Sequence, residues 1–320
     1  MATSPASGPG TALTASTYRR LQRFFQYVRL GQDWALPLVA QLLGSARCWH
    51  LVLDRTQWSI GKREVNYLVL AVVTRHFRVP LLWTLLPGAG NSSTAVRIAL
   101  VKRYLAHFPA STIAVLLADR EFIGADWMKF LSENNIAFAI RLREGMRFVT
   151  EDGCALTLAA RLRGARRTRT LRGRLWADGA ADGPILNVTV KRLAGEWLIV
   201  ASNLRPRTAL DAYRKRWGIE CMFGDSKTRG LNLEDTRLTD PHKLDLLMAL
   251  VSLALVWAGR AAVSLLHPGA PKRKSHGYPA QSWFRAGLDR IRHLLRTDPA
   301  QAVAEWRRLP SKPFNPSGVV

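Results

Sequence analysis

The segment YRKRWGIECMFGDSK, Tyr213 to Lys227, gathers four reactive side chains in one short stretch. Tyr213, Arg216, Glu220 and Lys227 lie at offsets of 0, 3, 7 and 14. On a helix turning about 100° per residue these fall at roughly 0°, 300°, 340° and 320°, within an arc of about 60°. Ala212, Ile219, Met222 and Phe223 fall on a neighbouring arc suited to a core. Glu220 is the only acid of the polar stripe, ringed by cations and a phenol.

Two other acids share its setting. Asp54 lies inside the apolar run LVLDRT, where a carboxylate is costly unless something pairs with it. Asp119 ends the apolar run VLLADRE. Each alone has an ordinary explanation: a strand-end Asp caps a turn, and Glu220 pairs with Arg216 or Lys227. Three converging carboxylates, however, raise one another's pKa values unless cations bind. Magnesium takes oxygen ligands and substrate phosphate together. Two such ions about 4 Å apart suit in-line displacement at phosphorus, one on the attacking oxygen and one on the leaving oxygen.

The surrounding pattern predicts the elements that must position these groups. WHLVLDRTQW, VNYLVLAVVTR and VPLLWTLLP read as three strands of an antiparallel meander, turning at GKRE and HFR. SSTAVRIALVKRYLAHF opens on hydroxyl caps and reads as a helix from Ser92 to Phe108. TIAVLLADRE is a buried strand, IGADWMKFLSENN a helix and AFAIRLR a fifth strand. This order predicts an α/β fold, a mixed sheet flanked by helices. Residues 145–203 hold short strand-like runs broken by Gly and Asp, a β-rich insertion before the last catalytic helix. Two long helices follow, Thr208 to Arg229 and Pro241 to Leu266. Gly218 inside the first costs about 1 kcal/mol against Ala and implies close packing or a bend. LLMALVSLALVWAG, Leu246 to Gly259, is shorter than the roughly 20 residues a membrane span needs, and reads as a buried core helix.

WHLVLDRTQW, VPLLWTLLPGAGNSST, LLADREFIG and YRKRWGIECMFGDSK resemble the insertion sequence 4 family of DDE transposases. The last run carries that family's Y-x2-R-x3-E-x6-K signature as Tyr213, Arg216, Glu220 and Lys227. The resemblance implies a ribonuclease H-like fold with Asp54, Asp119 and Glu220 as catalytic and metal-holding residues for Mg²⁺, with Mn²⁺ as an alternative. It implies that Tyr213, Arg216 and Lys227 touch DNA phosphates near the cleaved end, with Arg120 and Glu121 completing a DRE run beside Asp119. Trp197 is similar to a tryptophan that stacks on a base flipped out during hairpin chemistry; a packed strand tryptophan is the alternative. Relatives cut transposon 3′ ends and join the freed hydroxyls to target DNA, some through a hairpin. They carry a longer helical region before TYRRLQRFF, which leaves a DNA-binding remnant without transposition as a second reading. A nuclease that cleaves without strand transfer is a third.

The charge agrees with a polyanionic partner. The 320 residues hold 47 Lys and Arg against 23 Asp and Glu, a net charge of +24. Nucleic acid is the expected partner, over an anionic membrane surface or a ribosome-like structural role. RLRGARRTRTLRGR, Arg161 to Arg174, has seven arginines and no acid, so Arg166 and Arg167 are assigned to the DNA backbone rather than to a solvated loop. PKRKSHG from Pro271 is a second basic cluster. Cys48, Cys154 and Cys221 form no CxxC pair and read as reduced thiols, as in a cytoplasmic, nucleoid-associated protein. His50, His76, His107 and His242 form no ligand spacing and receive no role.

The expected division is a disordered lead-in over 1–16, a helical segment over 17–48 and a catalytic core over 49–144 and 204–266. The β-rich insertion covers 145–203, and a basic tail with a helix from Ser282 covers 267–320. The expected partner is double-stranded DNA, transposon ends and target, bound as a homodimer, with no membrane and no small-molecule substrate.

Overall fold

The computed structural model describes residues 14–44, 48–60, 63–74, 76, 78–163, 167–175, 183–193, 195–266, 269, 271–275, 277 and 279–308. Strands β1 (Trp49–Ile60), β2 (Arg63–Val73) and β3 (Arg78–Leu85) form the antiparallel meander expected from their apolar runs. Helix α3 (Thr94–His107) follows, after α1 (Thr14–Tyr27) and α2 (Ala35–Leu43) at the start of the chain. Ser93 caps α3 by accepting from the Val96 amide at 3.3 Å. Then come β4 (Ile113–Ala118), α4 (Ala125–Glu133) and β5 (Phe138–Arg141). β1, β4 and β5 run parallel, and the sheet order begins β3-β2-β1-β4-β5.

The chain between β5 and residue 203 contributes β6 (Arg147–Thr150), β7 (Ala155–Thr157), α5 (Leu158–Leu162), β8 (Arg169–Leu175), β9 (Leu186–Arg192) and β10 (Trp197–Ser202). These strands do not form a separate sheet. β10 pairs antiparallel with β5, so all ten strands share one sheet, continuing β10-β9-β8-β6-β7. Most of the arginine-rich run is ordered in α5 and β8 rather than in a loop. Arg172 pairs with Glu151 at 2.9 Å, and Arg161 donates to Thr150 Oγ1 at 2.8 Å.

Two expectations need correction. The lead-in does not extend to residue 16, because α1 already includes Thr14; the rest of the expected lead-in, residues 1–13, lies outside the described residues. The helix expected from Thr208 to Arg229 is broken. α6 (Pro206–Tyr213) ends in a 3-10 turn over Arg214–Arg216, and α7 (Trp217–Ser226) follows. The break falls where Lys215 and Arg216 turn their side chains onto β1. Lys227 therefore lies past the helix end, and its contacts go to Gln57 of β1 and to Glu234 rather than to the other three residues.

Helix α8 (Pro241–Leu266) is followed by α9 (Trp283–Thr297) and α10 (Pro299–Arg307). α8 is long and apolar enough to cross a membrane, with mean hydropathy 2.0, yet 61% of that window is buried within the protein. It packs on α9, α2 and β3. β3 is the edge strand that tolerates Pro80, at an irregularity in its pairing with β2. The Ser252 hydroxyl of α8 donates to the Pro80 carbonyl.

Candidate active site

The register of the sheet brings the two aspartates together. Leu53 of β1 is paired with Ala118 of β4 in a parallel ladder. The next residue on each chain is therefore Asp54 and Asp119, side by side at strands about 4.8 Å apart. α7 crosses β1, β2 and β3 and carries Glu220. Gly218 is what lets it lie so close: a Cβ there would stand 2.3 Å from Val73 Cγ1 of β2.

One guanidinium joins all three carboxylates. Arg216 Nη2 donates to Asp54 Oδ2 at 2.9 Å and lies 3.4 Å from Asp119 Oδ2, while Nη1 donates to Glu220 Oε1 at 2.7 Å. The Tyr213 hydroxyl donates to Asp119 Oδ1 at 3.4 Å. Lys227 Nζ donates to the Gln57 carbonyl at 2.7 Å and pairs with Glu234 at 2.9 Å. Asp54, Asp119, Glu220, Arg216 and Tyr213 thus meet where β4 ends, midway along β1, while Lys227 is held three residues further along β1 at Gln57.

Burial pushes the Asp54 carboxyl up to about 6, although Arg216 and the Arg55 amide pull it back; Glu121 and Asp119 add to the rise. Burial works against the charge of Arg216, but Asp54 and Asp119 outweigh it and hold the guanidinium protonated. The Tyr213 phenol is raised, by burial first and by Asp119 second. Arg216 Nε is buried without a partner, so the guanidinium has a donor left over. The three carboxylates and one guanidinium sum to two negative charges among oxygen-only donors. That set fits a hard divalent cation. As they stand, no three carboxylate, imidazole or thiol groups among the described residues form a ready metal cage, because Arg216 lies between the carboxylates.

Arg120, next to Asp119, is exposed. Trp197 is half-buried at the start of β10, with Arg192 over its ring at 5.5 Å. β10 runs against β5, so Trp197 extends past the same sheet edge at which β4 delivers Asp119. With Arg163 and Arg192 it lines a concavity of about 510 Å³. Arg167 is exposed ahead of β8, and Arg166 lies outside the described residues. The cysteines are free, as their spacing predicted.

Two groups escaped the sequence reading. His50 Nε2 lies 2.9 Å from Lys215 Nζ, which clips the 3-10 turn bearing Arg216 to β1. Its signal was position: His50 and Asp54 lie four apart on one strand, hence on one face. The second is the partner of Glu121, the last residue of the DRE run: Arg55 forms a two-bond pair with it at 2.6 and 3.0 Å behind the aspartates.

The transposase DDE domain family matches residues 48–257, a span that includes all three carboxylates. No curated protein matches the chain. The endonuclease V of Bacillus subtilis, a solved structure, is similar over 76% of this chain and 91% of its own. Its identity is 9% and its TM-score 0.27, too low to carry an argument. With more than half of its length matched and both strand-borne aspartates inside the match, the chain belongs to the transposase DDE domain family.

Proposed function

We propose that this transposase cuts the ends of an insertion sequence and joins the freed 3′ hydroxyls to target DNA, in the manner of the insertion sequence 4 family. The observation that carries the reading is the meeting of Asp54, Asp119 and Glu220 on Arg216 at the end of β4, midway along β1. The strand order β3-β2-β1-β4-β5, with β2 alone reversed, supports a ribonuclease H-like core, and residues 145–203 are then an insertion that widens its sheet.

Asp54, Asp119 and Glu220 would hold Mg²⁺ or Mn²⁺. When bound, such ions activate the attacking oxygen and stabilise the leaving oxygen at phosphorus. The protein's own groups do the positioning. Tyr213 steadies Asp119 through its hydroxyl. Arg216 offsets part of the carboxylate charge before DNA arrives, and its planar fork suits a phosphate once it turns away from them. Lys227, tethered to the Gln57 carbonyl of β1, brings a second cation to the same edge. Arg120 and Arg167 add exposed charge for the backbone, and Trp197 an aromatic face for an unpaired base. Two ends must be brought together, so a homodimer on DNA is the working assembly.

The test uses the full chain with Mg²⁺ and a labelled duplex bearing the element's native end, beside Glu220→Gln. The expected outcome is nicking and joining by the wild type, and binding without cutting by the variant. Binding without cutting by both proteins would favour the remnant. Cutting without joining would favour a nuclease.

A further inference from the structure

The two aspartates stand one residue past the end of their shared ladder. The parallel pairing of β1 and β4 stops at Leu53 and Ala118. Asp54 stays in β1, which runs on to Ile60, but Asp119 has left β4 and opens a turn. The Phe122 amide donates to Asp119 O at 3.0 Å and closes that turn, with Glu121 as its third residue. On the triad side Asp119 is held loosely: the Tyr213 hydroxyl and Arg216 Nη2 both stand 3.4 Å from its carboxylate. Hydrogen bonds of that length are weak.

The firm tie lies on the other face of the sheet. Side chains alternate along a strand, so Arg55 points away from the triad. Its guanidinium grips the Glu121 carboxylate with two bonds, Nε to Oε1 at 2.6 Å and Nη2 to Oε2 at 3.0 Å. Such fork-to-fork pairs fix geometry as well as adding energy. The two side chains are only 17% and 22% exposed, so water competes weakly for them. The Arg55 amide donates to Asp54 Oδ1 at 2.8 Å. One residue thus holds the first carboxylate with its backbone and, with its side chain, the turn that begins at the second. Arg97 acts differently: it donates to the Glu121 and Ile123 carbonyls and ties the turn to α3 rather than to β1.

We infer that Arg55 and Glu121 are positioning residues that set the spacing of Asp54 and Asp119, and through it the preference of those carboxylates for a small divalent ion over a larger one. The inference rests on the reading of the carboxylates as metal ligands. Magnesium demands near-ideal octahedral geometry at about 2.0–2.1 Å, whereas calcium accepts looser sites at about 2.3–2.6 Å. Rigid spacing therefore favours magnesium, and slack favours calcium. Removing a group that orients a metal ligand commonly costs about 10–100-fold in metal affinity. An ion pair that only stabilised the fold would lower the melting temperature when broken and leave the ratio of the two affinities unchanged.

The experiment is isothermal titration calorimetry of Mg²⁺ and, separately, of Ca²⁺ into the full chain bound to an end duplex whose 3′ end is already cut, so that no cutting contributes heat. Glu121→Gln keeps the shape of the side chain and breaks the charged fork. Arg55→Lys keeps the charge and loses the fork. Arg103→Lys disturbs the remote pair with Asp33 and controls for lost stability. Both Glu121→Gln and Arg55→Lys should bind Mg²⁺ about tenfold more weakly than the wild type, while Ca²⁺ affinity changes by less than about threefold. Arg103→Lys should change neither. Arg55 also donates to Gly90 O at 2.6 Å, so Glu121→Gln decides the matter if Arg55→Lys does not fold. Equal weakening of both ions in Glu121→Gln, or none, overturns the inference even where cutting and joining proceed. Failure of the wild type to bind either ion counts against the carboxylates as ligands, and so against the inference and the proposed function together.

Discussion

Arg216 is the one side chain on which the three carboxylates depend as described, since each has an oxygen within 3.4 Å of its guanidinium. Removing one partner of a buried ionic group commonly costs about 3–5 kcal/mol. Arg216→Gln is expected to lower stability by about 3 kcal/mol without metal, and to recover more on Mn²⁺ addition than the wild type does, because the ion then replaces the lost charge. Thermal melts with and without Mn²⁺ check this; equal recovery in both proteins would count against carboxylate ligation. Two pKa shifts give a second prediction, with opposing signs. The Asp54 carboxyl is raised from 3.8 to about 6, so its contribution is present below about pH 4 and lost as pH rises to about 6. The His50 imidazole is lowered from 6.5 to about 4, by burial first and Lys215 second, so its contribution is present above about pH 6.5 and lost as pH falls. The first is worth about 3 kcal/mol, the second about 2 after discounting for solvent screening. Urea unfolding of Asp54→Asn should therefore show stability rising more steeply from about pH 4.5 to 6.5 than in the wild type. The two aspartates stood out as candidates in the sequence because one interrupts and the other ends an apolar run, whereas the signature residues stood out by a shared helical arc that Lys227 does not keep. His50 was not, because a lone histidine in a strand shows no partner until Lys215 is folded onto it.

At the scale of elements, the path of α7 decides where Glu220 stands. Gly218 is read in the sequence as a helix-weakening residue with a packing reason, and Val73 is that reason. Gly218→Ala gains about 1 kcal/mol of helix propensity yet forces a Cβ onto a stiff β-branched side chain, a clash that typically costs about 1–3 kcal/mol. The expected net result is destabilisation and a displaced Glu220. Val73→Ala clears the space, so the double variant should be more stable than the sum of the two single effects. Denaturant titration of the four proteins tests this, and additive changes would mean that α7 does not rest on Val73. The meander and the helix-linked strands were legible because their apolar runs are local and bounded by turn residues. The break between α6 and α7 was not. It arises from Lys215 and Arg216 reaching a strand that lies far away in sequence, and local periodicity carries no record of such contacts.

At the scale of the molecule, charge and topology divide in the same way. The excess of 47 basic over 23 acidic residues was plain from the start. The joining of β10 to β5, which fuses ten strands into one sheet, was not, because strand partners distant in sequence leave no local mark. That single sheet matters for DNA. It carries Trp197 and the arginines of β8 and β9 on the same sheet as Asp54 rather than on a separate one. Cations distributed along such a surface release counterions together when they meet phosphates. A protein making about 6–10 phosphate contacts loses about 10³–10⁵ in affinity between 50 and 200 mM salt. We expect a loss in that range for a mixed-sequence duplex, measured by anisotropy across that interval without divalent metal. A loss below about tenfold would mean that the net charge of +24 faces something other than DNA. The native end sequence should shift the whole line upward while keeping most of its slope, since phosphate contacts position the duplex and carry no sequence information.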